Sequence, residues 1–325
     1  MRETIPQPGG MHTRQDLVEH AREAIRAGSK SFSAASRLFD RPTRERVWLL
    51  YAWCRRCDDL ADAQDHGGTL GSQSDAQARL RAIRILTERA LDGMPTADPA
   101  FDALGLVAKE CGIAEDMVED VIAGFALDAE DWRPQTEEDL MRYCYHVAGA
   151  VGVMTAVAMG VSPHDEETLD RACDLGLAFQ LGNIARDIAE DAAAGRCYLP
   201  GEWLAELDIP PGRQAEPAFL PRTALLAERL AAIAAVHERS ARFGARRLAF
   251  RQRWAVLCAA GIYGAIAREV VRQGEHAWDS RVHTSRLAKL GFVAKGFRDA
   301  LLPASPPAEE PRWRRRMLAT PASEP

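Results

Sequence analysis

An all-α fold is what this sequence predicts, and three observations predict it. Apolar residues recur at helical spacing along nearly all of the 325 residues, no alternating run of convincing strand length appears, and the breaks fall at Gly, Pro and polar caps. Hydrophobic content of 47% and charged content of 27% are those of a soluble globular protein, and the length suffices to bury a large core. Neither a fixed-period repeat nor a composition shift demands a second domain. One domain of about ten helices is therefore expected over residues 1–302.

In chain order, residues 16–28 form a short amphipathic helix ended by Gly28, and GSKSF (28–32) reads as a turn with two hydroxyls and a lysine. Pro42-Thr43 opens a helix that runs through YAWCRRCDDLAD (51–62). The polar stretch 64–75, directly after that acidic run, is either a solvent loop or a lid. Helical patterns follow at 76–91, 101–111 and 114–127. After Pro134, Thr136 with Asp139 has the spacing of an N-cap for YCYHVAGAVGVMTAVAMG (143–160), a helix apolar on all sides and therefore central. Residues 165–191 carry a second acidic run and stop at Gly195; 200–221 is Pro-rich and irregular; helices at 222–243, 251–274 and 284–302 complete the fold. The tail, 303–325, is Pro/Arg-rich and expected to be disordered. Its Trp313 among arginines offers a small patch for an anionic membrane surface, though a plain solvated tail is the simpler reading.

A net charge of −6 leaves no broad positive field for phosphate backbones and argues against a nucleic-acid binder. The N-terminus has no apolar signal core, and the longest uncharged run, 147–163, falls short of the ~20 residues that span a bilayer, so cytoplasmic residence is the default. The seven cysteines are scattered, and the lone pair Cys54/Cys57 lies within a helical pattern with no second pair to complete a zinc site. Thiols without a disulfide framework are expected. His146 reads as a satisfied interior histidine.

The chemistry lies in two acidic stripes. Tyr51, Arg55, Asp58, Asp59 and Asp62 fall within an arc of roughly 100° on a helix. Asn183, Asp187 and Asp191 step along one side of theirs at i, i+4 and i+8, beside Arg186 and Glu190. Either stripe alone would be an ordinary solvated face. Together, facing one another across a cavity, they suit a metal-bridged diphosphate: carboxylates for Mg²⁺, guanidiniums for the anionic oxygens, and apolar walls that keep water from a carbocation. There is no zinc-type His/Cys spacing, no dinucleotide fingerprint and no Walker loop.

In GSKSF (28–32), YAWCRRCDDLAD (51–62), YCYHVAGAVG (143–152), QLGNIARDIAEDAAAGRCYLP (180–200) and AWDSRVHTSRLAKL (277–290), the chain resembles the squalene/phytoene synthase family, most nearly its bacterial phytoene synthases. The resemblance implies an isoprenoid-synthase bundle around a central apolar cavity. It also implies head-to-head condensation of two geranylgeranyl diphosphates through prephytoene diphosphate to phytoene, the first committed step of carotenoid biosynthesis. Asp58, Asp62, Asn183, Asp187 and Asp191 would hold Mg²⁺, with Mn²⁺ a substitute and no NADPH required. Ser29, Lys30, Ser31, Phe32, Arg55, Gln180 and Arg186 would bind diphosphate. Tyr51, Tyr198, Tyr263 and Arg281 would line the reacting centre, with Val147 and Val151 beside the prenyl tails. Two positions depart from the pattern, Leu60-Ala61 and Gly182, and neither removes a metal ligand.

The alternatives are a sister enzyme that takes farnesyl diphosphate to squalene, dehydrosqualene or hydroxysqualene, and a non-catalytic scaffold relative, which would have been free to lose the metal ligands. A long hydrocarbon product implies peripheral contact with the inner face of the membrane and neighbouring carotenoid-pathway enzymes as partners.

Overall fold

The computed structural model describes residues 12–63, 75–130 and 132–319, apart from the side chains of Lys30, Ser31 and Arg286; the lid or loop expected at 64–75 falls almost wholly outside them. Every regular element among the described residues is helical, as expected. The chain divides into two compact units, residues 1–130 with 154–163, and residues 131–153 with 164–325, a division the sequence did not announce.

In the first unit the helices start where polar side chains can satisfy the free N–H groups of a first turn. Thr13 and Asp16 form a reciprocal capping box on α1 (Arg14–Gly28). Ser29 caps α2 (Lys30–Ser36), so the expected GSKSF turn is instead the cap and first turn of a short helix. Asp40 caps α3 (Arg41–Ala61), which has Pro in its first turn. Then come α4 (Ala76–Leu91), α5 (Pro99–Cys111), capped by Asp98, and α6 (Glu115–Ala129). α3 packs against α1 and α5, and its inner face closes on Ile25, Leu49, Trp53 and Phe101, all essentially inaccessible to solvent. That burial holds the opposite, charged edge of α3 in a fixed orientation.

The second unit begins with α7 (Glu137–Cys144), whose Thr136/Asp139 box matches the expected cap. One π turn, Tyr145–Gly149, joins it to α8 (Ala150–Ala158), whose residues up to Val153 belong to this unit. The helix expected at 143–160 is thus broken in register, and Val147 and Val151, expected beside the prenyl tails, are partly exposed. α9 (Glu166–Ala193) runs against this segment at very close range. A Cβ on Gly152 would lie 2.5 Å from the Ala172 carbonyl oxygen and one on Gly176 2.2 Å from that of Ala148, so glycine permits the crossing. The region expected to be irregular after Pro200 contains α10 (Gly201–Glu206). α11 (Leu220–Gly244), α12 (Phe250–Gln273) and α13 (Arg286–Leu301) complete the bundle. The stretch Phe250–His276 is long and apolar enough to cross a bilayer by length and composition, but half of its apolar window is buried within the protein.

Residues 303–319 correct the expectation of a disordered tail. Trp313 is buried and donates to Glu137 at 3.0 Å, Arg315 donates to Asp170 at 3.0 Å and also pairs with Glu166, and Arg171 holds Glu310 at 2.8 Å. Leu318, in the last turn α14 (Arg315–Leu318), is wholly buried. The pattern is a strap across the N-terminal ends of α7 and α9, where carboxylates of both first turns meet the strap's side chains. With Trp313 inside, the tail does not present the membrane patch considered for it. All seven cysteines are free, and burial pushes the Cys57 thiol well above the ordinary range, as befits inert core sulfur.

Candidate active site

In the first unit, the α1–α2 junction and the charged edge of α3 bring together Phe32, Tyr51, Arg55 and Asp58. A Cβ on Gly28 would lie 2.4 Å from the Tyr51 hydroxyl and 3.3 Å from Arg55 Cδ, so glycine is what lets both side chains lie over the end of α1. The Phe32 and Tyr51 rings meet at 5.7 Å. Ser29 Oγ accepts from Phe32 N at 3.2 Å, and this cap fixes the approach of Phe32. The side chains of Lys30 and Ser31, expected on diphosphate, lie outside the described set.

The two adjacent arginines of α3 part company. Arg56 turns to the α5 cap, donating to Asp98 at 2.8 Å. Arg55 donates through Nη2 to the buried Asp59 at 2.5 Å, while its Nη1 is 3.9 Å from Asp58, beyond hydrogen-bond range. Arg55 Nε is buried with no hydrogen-bond partner. A buried guanidinium N–H without an acceptor is costly unless something supplies one, and an anionic oxygen would. Asp59, which spacing alone left without a role, is the side chain that aims Arg55. Burial, together with Asp62, Asp59 and Asp128, pushes the Asp58 carboxyl up to about 7 against the opposing pull of Arg55. Asp58 keeps 48% of its side-chain surface open, so its desolvation is that of a recess and not of a sealed core. The upward direction is also what crowding by like charges dictates. Asp62 stands at the C-cap of α3.

In the second unit the carboxylate of Asp187 is held by two guanidiniums. Arg186 grips it with both Nε, at 2.7 Å, and Nη2. Arg281 reaches it from the segment after α12, at 3.2 Å, and lies 3.3 Å from Glu190. Trp278 explains the reach: its indole N–H donates to the Ala185 carbonyl at 3.2 Å and pins this segment along α9. Tyr263 stacks on Phe179 at 4.1 Å. Burial raises the Tyr263 phenol, opposed by the nearby charge of Arg186, and so keeps it neutral. Gln180, Asn183 and Asp191 are half-buried along α9. Tyr198 belongs to a different group, the ring stack Trp132–Tyr143–Tyr198, with 4.7 Å between the two tyrosines. Gly182, where the motif departs from its usual residue, lies beside α12, where an added Cβ would make only ordinary contact with Ala267 at 3.6 Å.

Among the described residues no three His, Cys, Asp or Glu side chains are already gathered into a cation cage. The donor set still fits Mg²⁺, a hard cation that takes one or two carboxylates and completes its shell with water and substrate phosphate. The crowded Asp58 and the unsatisfied Arg55 Nε are the features that favour a cation and an anion together.

A family model described as squalene/phytoene synthase matches residues 25–288. The chain belongs to the squalene/phytoene synthase family. A phytoene synthase of Pseudescherichia vulneris is 46% identical over 279 residues, covering 85% of this chain and 90% of the relative. A 15-cis-phytoene synthase of Pantoea ananas is 42% identical over 308 residues, covering 92% and 98%. The crystal structure of a dehydrosqualene synthase in complex with ligand superposes with a TM-score of 0.77 at 29% identity, over 87% of this chain and 96% of that one. Within the family, the stretches that match its motifs carry both the Arg55–Asp58 group and the Arg186–Asp187–Arg281 group. Sequence reasoning missed the parts played by Gly28, Asp59, Phe179 and Trp278. Gly28, Asp59 and Trp278 each carried a local hint, lying in a stretch already singled out, and Phe179 did not.

Proposed function

We propose that this protein is a prenyltransferase that joins two molecules of geranylgeranyl diphosphate head to head, through prephytoene diphosphate, to phytoene. The observation that carries the reading is the likeness to bacterial phytoene synthases over nearly the whole chain, at 42–46% identity, with all five carboxylate and amide positions of the two stripes present. Asp58, Asp62, Asn183, Asp187 and Asp191 would hold Mg²⁺. Bound there, the metal withdraws charge from the diphosphate and makes it a better leaving group.

The chain's own residues do the rest. Arg55 presents a free N–H to diphosphate oxygen while Asp59 keeps its plane in place. Arg186 and Arg281, paired with Asp187 in the resting protein, exchange that carboxylate for phosphate oxygen as substrate enters; guanidinium forks suit both partners. The C–O bond breaks, the electron pair leaves with diphosphate, and the allylic cation is attacked by the double bond of the second substrate. A proton is lost as the cyclopropane closes. The second ionisation leads through rearrangement to phytoene with loss of another proton, so no reductant enters. The faces of Tyr51 and Tyr263 offer electron density to a nearby cation without a basic atom that would quench it. Val147 and Val151 contribute apolar, chemically inert wall. The diphosphate substrate suits a cytoplasmic enzyme, and the hydrocarbon product suits one in peripheral contact with a membrane.

The test is to incubate the purified protein with geranylgeranyl or farnesyl diphosphate, with and without Mg²⁺ and NADPH, and identify the hydrocarbon. Phytoene from the C20 substrate with Mg²⁺ alone is expected. A C30 product formed in preference would move the protein to the farnesyl-using sister class, and turnover in EDTA would remove the metal from the mechanism.

A further inference from the structure

α13 is an amphipathic helix with a second apolar face turned outward. Its inner side is fixed: a Cβ on Gly296 would lie 3.0 Å from the Cys258 backbone nitrogen, and the Phe292 ring lies 2.8 Å from where Gly261 would carry a Cβ. With α13 seated this way on α12, Leu287, Leu290, Ala294, Phe297 and Leu301 share an arc of about 80° on the opposite side. Leu287, Leu290 and Leu301 are 80%, 66% and 64% exposed. Phe250, at the start of α12, extends the patch, its ring 5.6 Å from that of Phe297. Isolated exposed leucines need no explanation, but a contiguous patch of large apolar side chains does.

The border of the patch says what covers it. Lys295 and Arg298 are exposed along one flank, and Arg298 makes a surface pair with Asp299 at 2.9 Å, which costs little to exchange. α13 carries Arg286, Lys289, Lys295 and Arg298 against one acid, Asp299, in a chain whose net charge is −6. Two of the four lysines in the whole sequence lie in these sixteen residues. A leucine-rich arc with cations along its edge matches a bilayer interface bearing anionic headgroups, whereas a second copy meeting it through this same face would set cation against cation. The segment that carries Arg281 to Asp187 runs directly into α13, which places the patch next in sequence to the reacting centre.

We propose that the outward face of α13, with Phe250 beside it, seats this protein on an anionic lipid bilayer. The purpose of that seat, delivery of a water-insoluble product, rests on the proposed function; the binding itself does not.

The experiment is flotation of the full-length protein with phosphatidylcholine vesicles and with three-to-one phosphatidylcholine/phosphatidylglycerol vesicles, at low and high salt. Wild type is expected to float with the anionic vesicles at low salt, and much less with neutral vesicles or at high salt. Leu287→Ser/Leu290→Ser/Leu301→Ser is expected to lower anionic-vesicle binding at least tenfold. Lys295→Gln/Arg298→Gln is expected to lower it severalfold and flatten the salt dependence. Both variants should keep the helical circular-dichroism signal and their turnover of detergent-dispersed geranylgeranyl diphosphate. The proposal is overturned if wild type stays in solution with every vesicle or if the triple-Ser variant floats as well as wild type. It is equally overturned if light scattering finds a dimer that the triple-Ser variant dissolves while vesicle binding is unchanged. Absence of turnover with normal flotation would sink the proposed reaction and leave the docking surface standing.

Discussion

The two acidic stripes look alike in sequence and are wired in opposite ways. On α3, Arg55 spends its charge on Asp59, and Asp58 is left half-open among other carboxylates with its pKa pushed up to about 7. On α9, Asp187 is closed down by two guanidiniums. The first arrangement favours arrival of a cation, because a positive charge relieves carboxylate crowding. The second favours arrival of an anion, because each arginine can exchange one oxyanion for another. A metal diphosphate brings both charges at once.

That contrast can be broken most forcefully at Asp58. Asp58→Ala is expected to lower kcat/KM by about a thousandfold or more, with the helical signal intact, if Asp58 holds the metal as proposed. Near-normal turnover would remove Asp58 from the metal set. Next in size, Arg281→Ala should cost on the order of a hundredfold, expressed in kcat as well as KM, if the guanidinium that pairs with Asp187 meets the leaving diphosphate as proposed. A change confined to KM would make Arg281 a docking residue only.

Asp59→Asn is expected to lower activity roughly tenfold by loosening the aim of Arg55, whereas Glu190→Gln, at an exposed carboxylate that pairs with the exposed Arg281, should stay within about twofold. Equal effects would erase the distinction between a buried orienting carboxylate and a rim one.

The smallest effect is one of stability. In the metal-free protein the folded Asp58 holds its proton more tightly than an unfolded aspartate does, so the contribution of Asp58 to stability is lost as pH rises from about 4 to about 7. Asp58→Asn has no proton to lose. Above pH 7 it should be the more stable protein, by on the order of 1 kcal/mol once solvent screening of a half-open group is allowed for. Denaturant midpoints at pH 5 and pH 8, in EDTA, read this directly; a wild type equally stable at both, relative to the variant, would refute it.

Much of the fold was legible because helical periodicity, caps and Pro or Gly breaks are local. The Thr136/Asp139 box and the end of the first helix at Gly28 stand where spacing put them. The acidic stripes were legible for the same reason, since positions three and four apart share a helix face whatever surrounds them. Partnership was not. Arg55 and Arg56 are neighbours with identical side chains, and only the placement of α5 sends one to Asp98 and the other to Asp59. Composition misled at the tail: Pro and Arg dominate residues 303–319, but two apolar side chains, Trp313 and Leu318, decide that it docks. The π turn left no trace in a run apolar on every side, because a run without a polar face records no phase.

That turn has a further consequence. A π turn places one more residue in a helical turn than an α-helix does, so it acts as a phase shifter of about 100° between the helices it joins. The strap fixes the rotational setting of α7 through Glu137, while Gly152 against Ala172 fixes that of the start of α8. Tyr145–Gly149 absorbs the mismatch. Deleting one of these five residues would leave unbroken α-helix with both anchors still met, whereas deleting one residue within α7 would turn an anchored face by about 100°.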